Sequence, residues 1–206
     1  KDFDRSIKLD PKNAETYNFR GHSKYFLSKY EDAIKDFDRS IKLDPKNAET
    51  YILKGRSMHF LGRNEDTIKD LSRSIELDPN NPDAYNVRGQ SKFFLMRYED
   101  AIKDLNRSVE LDPNNVNTYD FRGRCQYYLG LFKDALDNFN SAINIESHYF
   151  YWQFRGRCHK ELGNKKLEIK DFKKAYSLGD KESEELIKSI SKWHFLRLTI
   201  KKITNI

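Results

Sequence analysis

The chain has 206 residues, with 38 lysines and arginines against 32 aspartates and glutamates, for a formal net charge of +6. Hydrophobic residues make up 37% of it, enough for a buried core, but no apolar run is long enough to span a membrane as a helix. The two cysteines, Cys125 and Cys158, form neither a C-x-x-C pair nor a disulfide framework. We therefore expect an intracellular, cytoplasmic protein in a reducing compartment.

The positive charge is concentrated at one end of the chain. Residues 151–206 hold 14 basic residues against 7 acidic ones, so the first 150 residues hold the remaining 24 against 25. A basic end could contact nucleic acid or an anionic membrane, whereas the nearly neutral body gives no such indication.

The chain begins inside a helical pattern (1–13), and its phrase LDPKNAETY then returns unchanged. It starts at Leu9 and again at Leu43, an interval of 34 residues. The same interval aligns a glycine and a proline in each unit, namely Gly21, Gly55, Gly89 and Gly123, and Pro11, Pro45, Pro79 and Pro113. Repeats of this length predict a solenoid in which each unit buries its apolar face against its neighbours.

Each unit is predicted to be a helix, a short turn and a second helix. Small and apolar residues recur at helical spacing in two segments per unit. The proline of the LDP phrase stops the second helix, because proline cannot continue a helix. An asparagine then stands where an N-cap side chain is expected, at Asn13, Asn47, Asn81 and Asn115.

These residues resemble the tetratricopeptide repeat family. The family signature is an aromatic residue, a glycine four residues later, an Ala-x3-aromatic pattern and a closing proline, matched here by Tyr17, Gly21, Ala33, Phe37 and Pro45. The resemblance implies an all-α, right-handed superhelix whose first helices line a concave groove. We predict the end of a preceding repeat (1–13), five repeats (14–47, 48–81, 82–115, 116–148, 149–180) and a C-terminal capping helix (181–206).

The sequence departs from the family pattern in a regular way. Cations stand beside the glycine column, for example Arg20 and Lys24, and the second helix supplies an aspartate such as Asp36. In the fourth unit Gln126 and Asn138 lose their charges together. We therefore predict a cation–carboxylate contact between the two helices of each unit, which is more simply a packing feature than a binding row.

No pattern of catalytic or cofactor-binding residues is present in the sequence. The five histidines form no metal-ligand cluster, and the glycines recur inside helices instead of forming a phosphate-binding loop. Cys125 and Cys158 occupy a column of small residues. We therefore predict no enzyme, no cofactor and no metal site.

Residues on the first helices that face away from the second helices differ from unit to unit, as a recognition surface would. They form a first row of Asn18, Ile52, Asn86, Asp120 and Gln153; a second row of His22, Arg56, Gln90, Arg124 and Arg157; and a third row of Tyr25, His59, Phe93 and Tyr127. Arginines interleaved with aromatic residues suit an extended peptide with apolar and acidic groups. A neighbouring aromatic column, Phe26, Phe60, Phe94 and Tyr128, could serve packing or recognition.

Some tetratricopeptide domains hold the C-terminal carboxylate of chaperone tails with a set of lysines, asparagines and an arginine. The matching positions here begin with Asn18 and His22 and continue with Leu53, Asp83 and Val87. Starting one or two units later does not supply the set either. The clamp is not matched, so we do not expect chaperone-tail capture.

Three functions remain open on the sequence alone. The favoured one is a non-catalytic scaffold that binds a partner protein in the groove. The second is a substrate-targeting arm of a larger enzyme lying before Lys1. The third is contact with nucleic acid or an anionic membrane through the basic C-terminal end. Neither the partner nor the oligomeric state can be deduced from the sequence.

The last segment is expected to cover the final repeat. Residues 182–203 place acids first, bases last and an apolar stripe at helical spacing. Such a helix would dock on the fifth repeat and cover Phe172 and Tyr176, since a solenoid must hide its final apolar face. The rival interpretation is a helix that lies on a membrane surface.

Overall fold

The structure is a computed structural model that describes residues 2–190. No strand occurs in that range, and no helix there has both the length and the hydropathy needed to cross a membrane. Residues 181–190 are helical. The helices before them are α1 Asp2–Leu9, α2 Ala14–Phe26, α3 Tyr30–Leu43, α4 Ala48–Phe60, α5 Asn64–Leu77, α6 Pro82–Phe94, α7 Tyr98–Leu111, α8 Val116–Tyr128, α9 Phe132–Ile145, α10 Tyr149–Glu161 and α11 Lys165–Ser177.

The helices form two compact units, Lys1–Pro113 with α1 to α7 and Asn114–Ile206 with α8 to α11. In unit 1 the pairs α2–α3, α4–α5 and α6–α7 pack together, and first helices also contact each other, α2 with α4 and α4 with α6. Unit 2 repeats the scheme with α8–α9 and α10–α11, and α8 contacts α10. Within each unit the first helices are therefore neighbours.

The predicted asparagine caps are confirmed. The side chains of Asn13 and Asn47 accept hydrogen bonds from the backbone N–H of Thr16 and Thr50. The caps Asn81 and Asn115 accept from the second helical residue instead. These bonds satisfy backbone donors that have no partner inside the helix, and so fix where each first helix begins.

The regular spacing of glycine reflects close contact between the two helices of a pair. A Cβ atom added to Gly21 would lie 2.8 Å from Cε1 of Phe37, and one added to Gly89 would lie 2.8 Å from Cγ of Leu105. Phe37 and Leu105 are fully buried. The second helix thus packs directly on the backbone of the first, which explains the glycine column.

A polar network joins the two helices of each pair, as the sequence predicts. Asp36 on α3 is 2.6 Å from Nη2 of Arg20 and 2.7 Å from Nζ of Lys24. The hydrogen bonds that Arg20 donates to Asp36 hold the pKa of Arg20 above its usual value. The same triad recurs in unit 1 with Asp104 in the position of Asp36 and with Arg88 and Lys92 as its cations.

A version of the network without the carboxylate is found in unit 2. There Arg122 Nε donates to Asn138 Oδ1 at 2.7 Å, and Asn138 Nδ2 donates to Gln126. Burial lowers the pKa of Arg122, which here has an amide partner where the other repeats offer a carboxylate. The paired loss of charge at positions 126 and 138 in the sequence therefore reflects a direct contact.

Residues 181–190 pack on the last helix pair of unit 2. Asp180 caps this segment by accepting from the N–H of Ser183, and Ser183 and Ile190 are buried. Phe172 is buried, whereas Tyr176 remains 47% exposed. The expected cover of Tyr176 is thus not made by residues 181–190, and the rest of the predicted capping helix (191–206) lies outside the described residues.

Candidate functional site

The fourteen predicted groove residues do not share one degree of exposure. Ile52, Asn86, Phe93, Asp120 and Gln153 are buried, and the other nine are partly exposed. Four of the five buried residues belong to the first row. A row that is almost wholly buried cannot present its side chains to a partner without rearrangement.

Residues of the first row lie where the first helix of one repeat contacts the first helix of the next. Asn18 Nδ2 donates to Thr50 Oγ1, so α2 is tied to α4 at this point. At the equivalent place Ile52 packs in an apolar cluster with Ala84 and Val87 of α6. The variation along this row thus reflects how successive helices meet.

Asp120 is the acidic member of the first row and the one with the most perturbed environment. Its Oδ2 lies 3.3 Å from Nη1 of Arg124, while its buried Oδ1 has no hydrogen-bond partner. Burial raises the pKa of Asp120 to about 6, although Arg124 and the charge of His148 act in the opposite direction. A buried carboxylate without full hydrogen bonding is costly, which favours the protonated form.

The second row is partly exposed in every repeat. In unit 1 Arg56 bridges to Asp83 at 2.8 Å, and Gln90 donates to Asn86 one turn earlier. In unit 2 Arg157 bridges to Glu182 at 2.6 Å. These contacts fix the side-chain directions while leaving part of each side chain in solvent, 32% for Arg56 and 30% for Arg157.

The arginines of unit 2 are also stacked on aromatic rings. The guanidinium carbon of Arg124 lies 4.7 Å from the ring centroid of Phe121 and 5.3 Å from that of Phe150. That of Arg157 lies 5.3 Å from the ring of Phe154. Stacking of this kind holds a planar guanidinium in place and so reduces the entropy lost when it binds an anion.

The third row joins neighbouring first helices through ring contacts. In unit 1 the Tyr25 ring lies 5.9 Å from that of Phe60, and the His59 ring lies 5.6 Å from that of Phe94. Nδ1 of His59 is 3.0 Å from Oγ of Ser91. Burial lowers the pKa of His59, so the neutral ring is favoured there.

The aromatic column that the sequence left open is exposed. Phe26, Phe60, Phe94 and Tyr128 are 72%, 58%, 51% and 51% exposed. The predicted groove residues do not include them, because the sequence does not separate packing between repeats from recognition at this column. The sequence does contain a signal for this column, because an aromatic residue recurs at the same repeat position.

Cys125 and Cys158 are buried cysteines that form no disulfide bond, and burial raises the pKa of Cys158 to about 12. Within residues 2–190, no three histidine, cysteine or acidic side chains are grouped so that they could hold a metal ion. His159 lies 3.7 Å from Asp171, in the place that a lysine has in the unit 1 triads.

Comparison with known proteins defines the class of this protein. Models of the tetratricopeptide repeat match residues 14–47, 82–115, 48–81 and 151–178, which is more than half of the chain. With its helical architecture, the protein is an all-α superhelical repeat protein. The chain belongs to the tetratricopeptide repeat family.

Solved structures with the same fold include three that bear on this protein. YrrB, described as a tetratricopeptide repeat protein with an unusual peptide-binding site, matches with a TM-score of 0.78 at 19% identity, covering 92% of this chain and 98% of that one. MamA matches with a TM-score of 0.74 at 24% identity, covering 83% and 94%. A thermophilic tetratricopeptide repeat protein of Thermus thermophilus, TTC0263, matches with a TM-score of 0.64 at 18% identity, covering 86% and 98%. No curated protein matches the sequence.

Proposed function

We propose that this protein is a non-catalytic scaffold that binds an extended peptide or partner surface along its first helices. Tetratricopeptide repeat proteins are in general protein-interaction scaffolds, and one neighbour of the same fold, YrrB, is described as having a peptide-binding site. The partner carries apolar and acidic groups.

The observation that carries the proposal is the contrast between constant and variable positions on one helix. The glycine column is buried in every repeat, while the second row, one residue later, is partly exposed and differs from repeat to repeat. Packing alone explains a constant column. A variable, solvent-facing row of preoriented arginines is typical of a recognition surface.

The acidic character of the partner follows from the second row. Arg56 in unit 1 and Arg124 and Arg157 in unit 2 present guanidinium groups, which bind carboxylates in a bidentate geometry. Each one is held by an acidic side chain of the protein, Asp83, Asp120 or Glu182. A partner carboxylate therefore competes with an internal one, and we expect moderate affinity that depends on salt.

The test compares arginines of the second row on the first helices, called inner, with arginines of the second helices, called outer. Arg56→Gln and Arg157→Gln each remove one guanidinium from the second row. Arg73→Gln and Arg107→Gln remove arginines of the second helices α5 and α7 whose side chains are 47% and 41% exposed. The outer pairs with Glu76 and Glu110 are ion pairs of similar length. Truncation of an interface arginine should weaken partner capture by roughly tenfold.

The readout is quantitative capture from the native source, with melting temperatures for all four variants. The proposal is supported if capture is lost in the inner variants and kept in the outer variants. Equal capture by inner and outer variants contradicts it.

The two alternatives have readouts of their own. Capture of nucleic acid or anionic vesicles, with an affinity that falls steeply with salt, would favour the basic C-terminal end. Most of that charge lies in residues 151–206, of which 191–206 are outside the described structure. An enzyme encoded upstream of Lys1 in the full reading frame would favour the targeting arm.

A further inference from the structure

Unit 1 exposes three phenylalanines at one repeat position, and we call Phe26, Phe60 and Phe94 the aromatic stripe. They end the first helices α2, α4 and α6, which contact each other in order. Their exposed fractions are 72%, 58% and 51%. Three large apolar rings kept in solvent at equal spacing are more typical of a binding surface than of a helix end.

The stripe is continuous, because the third row bridges its members. Tyr25 contacts Phe26 at 5.5 Å and Phe60 at 5.9 Å between ring centroids. His59 contacts Phe60 at 6.1 Å and Phe94 at 5.6 Å. The exposed rings thus take part in the packing between repeats, and Phe60 is also stacked on Tyr30 at 5.0 Å, while more than half of each exposed phenylalanine stays in solvent.

Cationic side chains lie before and after the rings of the stripe. One helical turn before Phe60 is Arg56, and at the equivalent place before Phe26 the ring of His22 contacts Phe26 at 4.7 Å. Three residues after each ring come Lys29, Arg63 and Arg97, all exposed. Arg63 and Arg97 form ion pairs with acidic neighbours and still have about half of their side chains in solvent, 49% and 48%.

The ring contacts limit the step from one exposed ring to the next. Phe26 and Phe60 are joined through a single bridging ring, as are Phe60 and Phe94. The distance between the centroids of two neighbouring exposed rings therefore cannot exceed the sum of the two centroid distances to the bridging ring. A polyproline II helix repeats its side-chain direction every three residues, about 9 Å along its axis, which fits within that limit.

We propose that the aromatic stripe binds an extended, polyproline II-like peptide that has an apolar side chain at every third residue and acidic residues between. The apolar side chains lie on Phe26, Phe60 and Phe94, and the acids face the flanking cations. This inference rests on the proposed function and deepens it, because it names the anchors and the sequence pattern of the ligand. Aromatic grooves bind such preformed helices at a low entropic cost.

The experiment uses the full chain and a labelled synthetic peptide of Leu-Pro-Glu triplets, with binding measured by fluorescence anisotropy. One comparison peptide has the same composition in scrambled order. The other has leucines at helical spacing with glutamate and no proline. The triplet peptide should bind at least about tenfold more tightly than either, since only it presents leucine on one face at the spacing of the stripe.

Matched protein variants test the stripe itself. Phe60→Ser removes the central ring, and Phe19→Ser removes a phenylalanine of similar exposure, 49%, that is not part of the stripe. We expect Phe60→Ser to weaken the triplet peptide at least about tenfold and Phe19→Ser to change it less than about twofold. Unchanged melting temperatures show that the helices are intact.

The possible failures are distinguishable. Equal binding of the scrambled or helical peptide, no binding of any peptide, or an unaffected Phe60→Ser variant overturns the inference. A dimer that sedimentation detects without peptide and that Phe60→Ser abolishes assigns the stripe to a second copy, and also overturns it. If native partner capture is lost in Arg56→Gln but kept in Phe60→Ser, the scaffold function stands and the stripe proposal fails.

Discussion

At the scale of single residues, one backbone position after each first helix requires a left-handed conformation. Gly62, Gly130 and Gly163 occupy it with φ of 72°, 76° and 73°. Ser28 and Met96 occupy it with φ of 56° and 59° and carry a side chain that disfavours this region. The turn geometry is therefore imposed by the packing of the two helices and not by the local residue.

Met96→Gly should stabilise the protein. Met96 is 75% exposed, so its removal loses little packing, and glycine relieves the left-handed strain. We expect the free energy of unfolding to rise by about 0.5–1 kcal/mol, measured by urea denaturation. Gly62→Ala is the matched reverse change and should destabilise, and the same sign for both would refute the argument.

Asp120 should make stability depend on pH. Its pKa of about 6 in the folded state lies above the value of 3.8 for an unperturbed aspartate, so the folded protein holds this proton more tightly. The contribution of Asp120 to stability is therefore largest below pH 4 and is lost as the pH rises through 6.

Asp120→Asn removes this titration and introduces the residue found at the equivalent positions 18 and 86. We expect the variant to be more stable than wild type at pH 7 by about 1–3 kcal/mol and nearly equal to it at pH 4. Thermal melting at the two pH values measures this. A variant that is less stable at pH 7 would show that the carboxylate is stabilising.

At the scale of helices, the polar triads decide how tightly a helix pair is held. Asp104→Asn leaves Lys92 and Arg88 facing each other without their carboxylate, although the pair was 2.8 Å and 2.7 Å from it. We expect a loss of about 1–3 kcal/mol in the free energy of unfolding.

Adding Lys92→Gln to Asp104→Asn should recover part of that loss. The double variant reproduces the amide pair that Gln126 and Asn138 form in unit 2. Chemical denaturation of the single and double variants gives the comparison, and equal stability of the two would argue against a coupled triad.

The helices and their caps could be predicted from the sequence because the signals are local. Proline stops, asparagine caps and the glycine column each act within a few residues or within one helix pair. The triads could be predicted because two positions changed together, at Gln126 and Asn138. Each of these features recurs in several repeats, so a prediction made for one repeat could be checked against the others.

The exposure of the groove residues could not be predicted in the same way. Ile52 and Arg56 lie one turn apart on the same helix, and only the position of the next first helix decides that Ile52 is buried and Arg56 is partly exposed. That position depends on how α4 meets α6, which the periodicity of a single helix does not specify. The aromatic stripe was left open for the same reason.

At the scale of the whole molecule, we expect the segment from residue 181 onward to cap the fifth repeat. The first part of this segment contacts α10, since Glu182 accepts hydrogen bonds from Gln153 and Arg157. Ser183 and Ile190 of the same segment are buried. Truncation after Asp180 should lower the melting temperature strongly or cause aggregation, because it uncovers an apolar face. A stable, soluble fragment that only loses binding to anionic vesicles would instead support a membrane-surface helix.

Binding of partners along the first helices can be measured by covalent side-chain footprinting with mass spectrometry, on the full chain with and without its captured partner. We expect protection of Phe26, Phe60 and Arg56 and no change at Arg73 and Arg107 on the second helices. Protection confined to the second helices, with the residues of the first helices still fully reactive, would rule out this binding surface.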